Sequence, residues 1–300
     1  MVTRQDIADG LNRLGLRSGD TVVVHSSLSS FGRVDGGAET VVDAILDVLG
    51  ESGTLVAPTF NFAPGVFDVK ETPSIVGKIT EAVRARPNAF RSFHPTHSVA
   101  AIGRLADVIT EGHEQVHAFG RGSALFKALQ ANAKILQLGV THSTNSTIHV
   151  AEEIAGVPFL DRSRQVGIKA RGGKVIHKWI RRPGCSHGFD EIEEPLQEKE
   201  TTAETMIGDC RARLMTARAV VETAVEMLKS DPAALLCARP DCGACAEARA
   251  MIAAYETERQ DKEVIEAGMQ EERTLRMIQK DFDTTDIRHF DSSEHEQSPN

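Results

Sequence analysis

Apolar positions along this chain recur with two periods, and the switches between them outline its elements. Between residues 4 and 16 they fall at Ile7, Leu11, Leu14 and Leu16, a helical spacing that Ser18-Gly19-Asp20 interrupts. Thr21-Val22-Val23-Val24-His25 follows as a short β-branched run and reads as a buried strand. Val41, Val42, Ile45, Leu46 and Leu49 then share one face of a helix over 38–49, which Gly50 closes. Gly53 to Thr59 is the next strand. The alternation continues with a helix near 74–86, a strand over 98–102, a helix over 123–131, a buried strand over 134–140 and a helix around His149. Strands separated by helices predict a three-layer α/β/α sandwich around a mixed, partly parallel central sheet.

The texture changes after Gly156. Arg164 to Ala170 and Lys174 to Ile180 flank Arg171-Gly172-Gly173 and read as a hairpin. Helices are expected over 190–197, over 207–229 and, highly charged, from 246 to about 280. These form a C-terminal helical lobe, about 185–280, of one domain covering 1–280. Residues 281–300 have the polar composition of a disordered tail. No internal repeat is visible.

Composition narrows the functional classes. With 300 residues, 41% of them hydrophobic, the chain can build a full core. Its formal net charge of -9 argues against nucleic acid and anionic membrane as partners. No apolar stretch approaches the roughly 20 residues of a membrane span. No secretory h-region opens the chain, and five cysteines do not make a secreted disulfide framework. A reducing cytoplasm is the expected setting.

Several polar segments carry candidate chemistry. Thr141 to Thr147 leaves the strand over 134–140 and delivers His149 and Glu152 at i, i+3, on one face of a helix. A carboxylate beside an imidazole fixes its tautomer and stabilises its protonated form, which suits a general base. The same pair can also do no more than solvate a helix end. The loop Ser26-Ser27-Leu28-Ser29-Ser30-Phe31-Gly32 leaves a strand ahead of Gly36-Gly37, and its small residues and hydroxyls can approach a pyrophosphate or pantetheine. It is neither a Walker A loop nor a dinucleotide fingerprint, and it also reads as an ordinary connection. His94-Pro95-Thr96-His97-Ser98 places two imidazoles and a hydroxyl before a strand. Ser123, after Arg121-Gly122, can cap the next helix.

In combination these words resemble the aminoglycoside 3-N-acetyltransferases and their antibiotic N-acetyltransferase relatives. The matching segments, in order, are His25 to Gly32 with Gly36-Gly37-Ala38, Gly53 to Thr59, His94 to Val99, Gly122-Ser123 and Asn145 to Glu152, and the likeness covers roughly residues 4–255. The resemblance implies acetyl transfer from acetyl-coenzyme A to an amine, the 3-amino group of an aminoglycoside. It implies that Ser26 to Gly32 cradle coenzyme A with help from Ser98 and Ser123. It gives His149 the role of base, oriented by Glu152, and lets Thr147 or a loop N–H polarise the thioester carbonyl. No acyl-enzyme is expected, because an amine can attack a thioester directly. Asp161, Asp190, Glu191, Glu193 and Glu194 are candidates for an acidic wall facing a polycationic acceptor. Acetylation of a different amine, or coenzyme A binding without turnover, are the alternatives on this fold; the presence of both His149 and Glu152 favours an enzyme.

Two further motifs stand apart from the resemblance. Cys237, Cys242 and Cys245 have a metal-like spacing, and Cys185 could complete a set of four soft ligands suited to a structural zinc, with His187 an alternative. A few buried or helix-capping thiols are the alternative reading. Gly184-Cys185-Ser186-His187-Gly188 matches the hydrolase nucleophile elbow, but the later histidines are only the adjacent His187 and two in the tail, His289 and His295.

Overall fold

The computed structural model describes residues 1–62, 65–160, 162–170 and 172–285, with side chains described as far as residue 277. In chain order the helices are α1 (Arg4–Leu14), α2 (Gly37–Leu49), α3 (Lys78–Ala85), α4 (Ala106–Thr110), α5 (Ala124–Gln130), α6 (Ile148–Ala155), α7 (Glu193–Glu198), α8 (Ala217–Ser230) and α9 (Gly243–Thr285). The strands are β1 (Thr21–Ser26), β2 (Thr54–Pro58), β3 (Val66–Phe67), β4 (Phe90–Arg91), β5 (Val99–Gly103), β6 (Lys134–Leu138), β7 (Ser163–Lys169), β8 (Val175–Arg181), β9 (Ala203–Ile207) and β10 (Cys210–Thr216).

Seven strands form the central sheet in the order β4-β5-β2-β1-β6-β10-β9. β1 lies between β2 and β6 and is parallel to both, while β5, β10, β9 and β4 pair antiparallel at the flanks. The sheet is therefore mixed, as expected. Successive side chains of a strand point to opposite faces, and β1 shows the result directly. Val23 joins a core with Val56, Ile135, Ile148 and Val220, under the face that carries α5, α6 and α8. Val22 and Val24 join a second core with Ile7, Leu11, Val41, Ile45 and Ile79, under α1, α2 and α3. Two apolar faces on one sheet require helices on both sides, which gives the three layers.

The expected helix over 207–229 is corrected. Its first part is strand: β9 ends at Ile207, Gly208 and Asp209 make the turn with Gly208 at φ +59, and β10 runs back from Cys210. Cys210, Ala212 and Leu214 alternate into the α1–α2 core, and a two-residue Gly-containing loop is a hairpin connection. Helical periodicity begins only at Ala217, where the Thr216 hydroxyl accepts from the Ala219 N–H and caps α8. The part of the chain expected to form a C-terminal helical lobe thus supplies two strands to the main sheet.

The expected hairpin around Gly172 is present as β7 and β8, and with β3 it forms a separate three-stranded sheet. Residues Met1–Ile252 form one compact unit; Ala253–Asn300 form a second, helical where described. Most of the expected polar tail, 286–300, lies outside the described residues. Among the described residues no helix is long and apolar enough to cross a membrane.

Candidate active site

The carboxyl ends of the parallel strands β1, β2 and β6 converge on one cleft, the place where α/β sheets present their loops to ligands. It encloses about 440 Å3, ordinary for a small-molecule site. His25 and Ser26 line it from the end of β1, Pro58 and Phe60 from the end of β2, and Ser143, Thr144, Ser146 and His149 from the segment after β6.

That last segment is held by specific contacts. A tight turn over His142–Thr144 follows β6. Asp190 accepts the Ser143 N–H and the Thr141 hydroxyl, each at 3.0 Å. Glu193 pairs with the buried Arg213 and lies 3.4 Å from His142 Nε2. Asn145 Oδ1 accepts the Thr147 N–H at 3.2 Å, and α6 starts one residue later. The loop is thereby built to aim the first turn of α6.

His149 and Glu152 meet as the i, i+3 spacing requires. Nδ1 of His149 lies 2.6 Å from Glu152 Oε2, and a carboxylate can only accept, so Nδ1–H donates and Nε2 is left for other chemistry. Glu152 is 1% exposed and His149 7%. The imidazole stacks on Phe119 (centroids 4.7 Å, 26°) and meets the edge of Phe189 at 4.8 Å. Two aromatic neighbours and an ionic partner leave the ring one orientation.

Other imidazoles stand close. His97, also in the cleft lining, contacts Phe60 and Phe119. Burial and the neighbouring His149 hold it well below the ordinary histidine range. Burial, helped by His142, pushes His25 down to about 3. Both are neutral, weakly basic rings at neutral pH. Among the described residues several buried polar atoms here have no hydrogen-bond partner: His25 Nε2, Ser26 Oγ, Thr147 Oγ1, Glu152 Oε1 and both amide atoms of Gln137, which sits beside His25 in the β1–β6 register.

The serine loop contributes less directly than its sequence suggests. Leu28–Phe31 forms a tight turn, Phe31 is buried in the α1–α2 core, and Ser30 donates to Ser27 O at 2.7 Å. Ser27 and Ser29 hydroxyls pair at 3.0 Å. Of Ser26 to Gly32, only Ser26 is in the cleft lining; Leu28 packs beside the core. Ser98 is buried, bonded to Thr59 O at 2.8 Å and to Arg91 at 3.1 Å. Ser123 caps α5 through the Phe126 N–H. Thr147 is buried just ahead of His149.

The expected acidic wall does not face the cleft. Asp190 and Glu193 pin the loop below it, Glu191 and Glu194 are exposed elsewhere, and Asp161 lies outside the described residues. The charged residues that do line it are Arg164, Arg181 and Arg182, on and after the β7–β8 hairpin, and the described lining holds no carboxylate. Sequence reasoning missed these arginines, because nothing local tells which face of a hairpin meets a site. The elbow motif also fails: residues 184–188 are irregular, and the His187 ring contacts Cys185 Sγ at 3.1 Å rather than serving Ser186. The four expected metal-ligating cysteines do come together, with all four Sγ atoms within 4.8 Å of one another.

Residues 23–229 match the family model described as aminoglycoside 3-N-acetyltransferase. The chain belongs to that family. The family match runs from within β1 into the last turn of α8, so it contains His149 and Glu152 and stops short of Cys237, Cys242 and Cys245. Among relatives of this acetyltransferase-family chain is an aminoglycoside N(3)-acetyltransferase III from Salmonella sp, 35% identical over 179 residues; the match spans 53% of this chain and 63% of that protein, under two thirds of its length. A histidine-to-alanine variant of aminoglycoside acetyltransferase AAC(3)-IVa, solved with a gentamicin, has a TM-score of 0.77 at 29% identity and covers 84% of this chain and 98% of its own. AAC-IIIb solved with CoASH has a TM-score of 0.70 at 26% identity, covering 76% and 96%.

Proposed function

We propose that this chain transfers the acetyl group of acetyl-coenzyme A to an amine, with His149 as general base and an aminoglycoside 3-amino group as acceptor. The observation that carries the reading is the buried His149–Glu152 bond at the wall of the cleft. An amine is largely ammonium at neutral pH and must lose a proton to attack, whereas a thioester needs positioning and polarisation. Nε2 of His149 takes that proton. The amine nitrogen then bonds the acetyl carbon, the carbon–sulfur bond breaks, and coenzyme A leaves as the thiol with the second proton that the nitrogen gives up on becoming an amide. Glu152 holds the imidazole in the required tautomer and stabilises the imidazolium. The neutral His97 and His25 are too weakly basic to compete for the role. The Thr147 hydroxyl, without a hydrogen-bond partner among the described residues, is the candidate donor to the thioester oxygen. Ser26, with the loop through Gly32 and the Ser98 and Ser123 regions behind it, supports coenzyme A, and Arg164, Arg181 and Arg182 suit its phosphates. Complexes of solved relatives with CoASH and with a gentamicin support both substrate classes.

One observation favours a second acceptor. A described lining with three arginines and no carboxylate suits an amine less cationic than an aminoglycoside. Release of free thiol from acetyl-coenzyme A, followed against aminoglycosides and simple amines, separates the readings. The expected result is aminoglycoside-dependent release that His149→Ala reduces by about 10²–10⁴ while coenzyme A still binds. Release only with other amines would keep the base and replace the acceptor. Near-normal turnover in His149→Ala would remove His149 from the mechanism.

A further inference from the structure

Four cysteines from three separate segments meet at the end of the compact unit. Cys185 lies in the irregular stretch after β8, Cys237 follows α8, Cys242 directly precedes α9, and Cys245 is in its first turn. Cys237 and Cys245 are buried, and Cys185 and Cys242 half-buried. The Sγ of Cys237 is 3.5 Å from that of Cys245 and 3.9 Å from that of Cys185. A tetrahedral zinc site with Zn–S near 2.3 Å has sulfur–sulfur edges of about 3.8 Å, and a disulfide would need about 2.05 Å. The spacing found is the first kind. Four soft sulfurs, two of them one helical turn apart, are a donor set for a d¹⁰ or similarly soft divalent ion.

The surroundings resemble a supporting shell. The His187 N–H donates to Cys185 Sγ at 3.4 Å, and the His187 ring nitrogen Nδ1 lies 3.1 Å from the same atom. Donors of this kind stabilise a thiolate and orient it. Arg249 reaches back from α9 to the carbonyls of Leu236, Cys237 and Cys245, placing positive charge beside the sulfurs. Gly188 is pressed against the backbone of 235–237, where a Cβ would come within 2.6 Å of Leu235 O and Cys237 N. All four positions of a tetrahedral ion would be filled by protein, so such an ion binds no substrate.

We infer that Cys185, Cys237, Cys242 and Cys245 bind one zinc ion as thiolates, and that this clasp holds the segment Pro183–Ser186 in place at the cleft. Pro183, Gly184 and Ser186 line the cleft next to Cys185, and a Cβ on Gly184 would touch Glu152 Oε1 at 3.5 Å. The clasp therefore fixes the backbone that covers the carboxylate partner of His149. It closes across a part of the chain that the family match does not reach, since three of its ligands lie beyond residue 229. The metal assignment stands independently of the acetyl-transfer reading.

The full-length chain, purified without added metal, is assayed for metal by mass spectrometry while its thiols are titrated with a mercurial. The expected result is one zinc per chain, released as about four thiols react. Cys242→Ser, which keeps three ligands, should lose most of the metal, whereas Cys210→Ser should keep it. Cobalt added to stripped protein should give thiolate charge-transfer bands and the strong visible absorption of a tetrahedral site. A metal ratio near zero together with failure to take up cobalt overturns the site, as does a Cys237–Cys245 disulfide in freshly isolated protein. Hydrogen exchange tests the clasp: amides of 183–188 should exchange at least about tenfold faster after zinc removal. Unchanged protection there, in protein shown to have lost its zinc, overturns the positioning role.

Discussion

Replacing Glu152 with glutamine is the sharpest probe of the proposed role of the His149–Glu152 pair, because it keeps the shape of a 1%-exposed side chain and removes its charge. The carboxylate receives the His149 Nδ1–H at 2.6 Å. The amide of Gln has two ways to sit. With its oxygen toward Nδ1, the tautomer is kept but the imidazolium formed on proton uptake loses its ionic partner. A hydrogen bond to a charged group is worth about 1.5–3 kcal/mol, which is about 10- to 150-fold in kcat. With its NH₂ toward Nδ1, the proton moves to Nε2 and the base is lost, for which the serine-protease precedent is about 10⁴-fold. Thiol release at saturating acetyl-coenzyme A and acceptor should therefore fall by at least about tenfold and by as much as about 10⁴-fold. Coenzyme A affinity, measured by calorimetry, should stay as in the parent, since Glu152 is not in the cleft lining. A variant that melts like the parent and retains kcat within about threefold would refute the orienting role.

Two other outcomes follow from the packing and the histidines. Gly139 sits at φ +67, and a Cβ there would overlap the Ser30 side chain; Gly139→Ala should cost about 1–3 kcal/mol by overpacking and strain, read as a lower melting temperature with weaker coenzyme A binding, and an unchanged melt would count against the packing. His25, held near 3, and His113 and His142, near 4, are depressed chiefly by burial. The unfolded chain takes up their protons below its own histidine range near 6.5, so their contribution is complete above about pH 6.5 and is lost as pH falls toward 4, at roughly 1.4 kcal/mol per pH unit for each ring. A melting temperature flat between those pH values would show that these rings charge freely in the folded protein.

How much of this was legible beforehand varies with the range of the interaction that decides it. The α6 pair needed only a helical period, and the i, i+3 spacing places His149 on Glu152 as expected. The parallel centre of the sheet was legible because β1, β2 and β6 are buried on both faces and read as continuous apolar runs. β9 and β10 were not, because alternation over Cys210–Leu214 runs without a break into the helical period of α8. Gly208-Asp209, a Gly-containing pair at the hairpin turn, is the local signal that marks the break between β9 and β10. Phe119 and Phe189, which set the imidazole plane, lie 30 residues before and 40 after His149, and only the tertiary fold unites them. The four cysteines lie in between: spacing identified three, and the fold brought Cys185 to them.

The β7–β8 hairpin belongs to a sheet of its own, and that separation bears on how the cleft could change under selection. Arg164, Ile180 and Arg181 reach the cleft from this hairpin, whereas His149 comes from α6 on the seven-stranded sheet. Most of β8 is exposed, Val175, Ile176 and Trp179 among it, and surface substitutions there move stability by only about 0.5 kcal/mol. One wall of the cleft can therefore drift in charge and shape while the wall that carries His149 stays fixed by its core. Serial passage of this protein against successive amines should enrich changes within 163–181 long before any in β1 or β6.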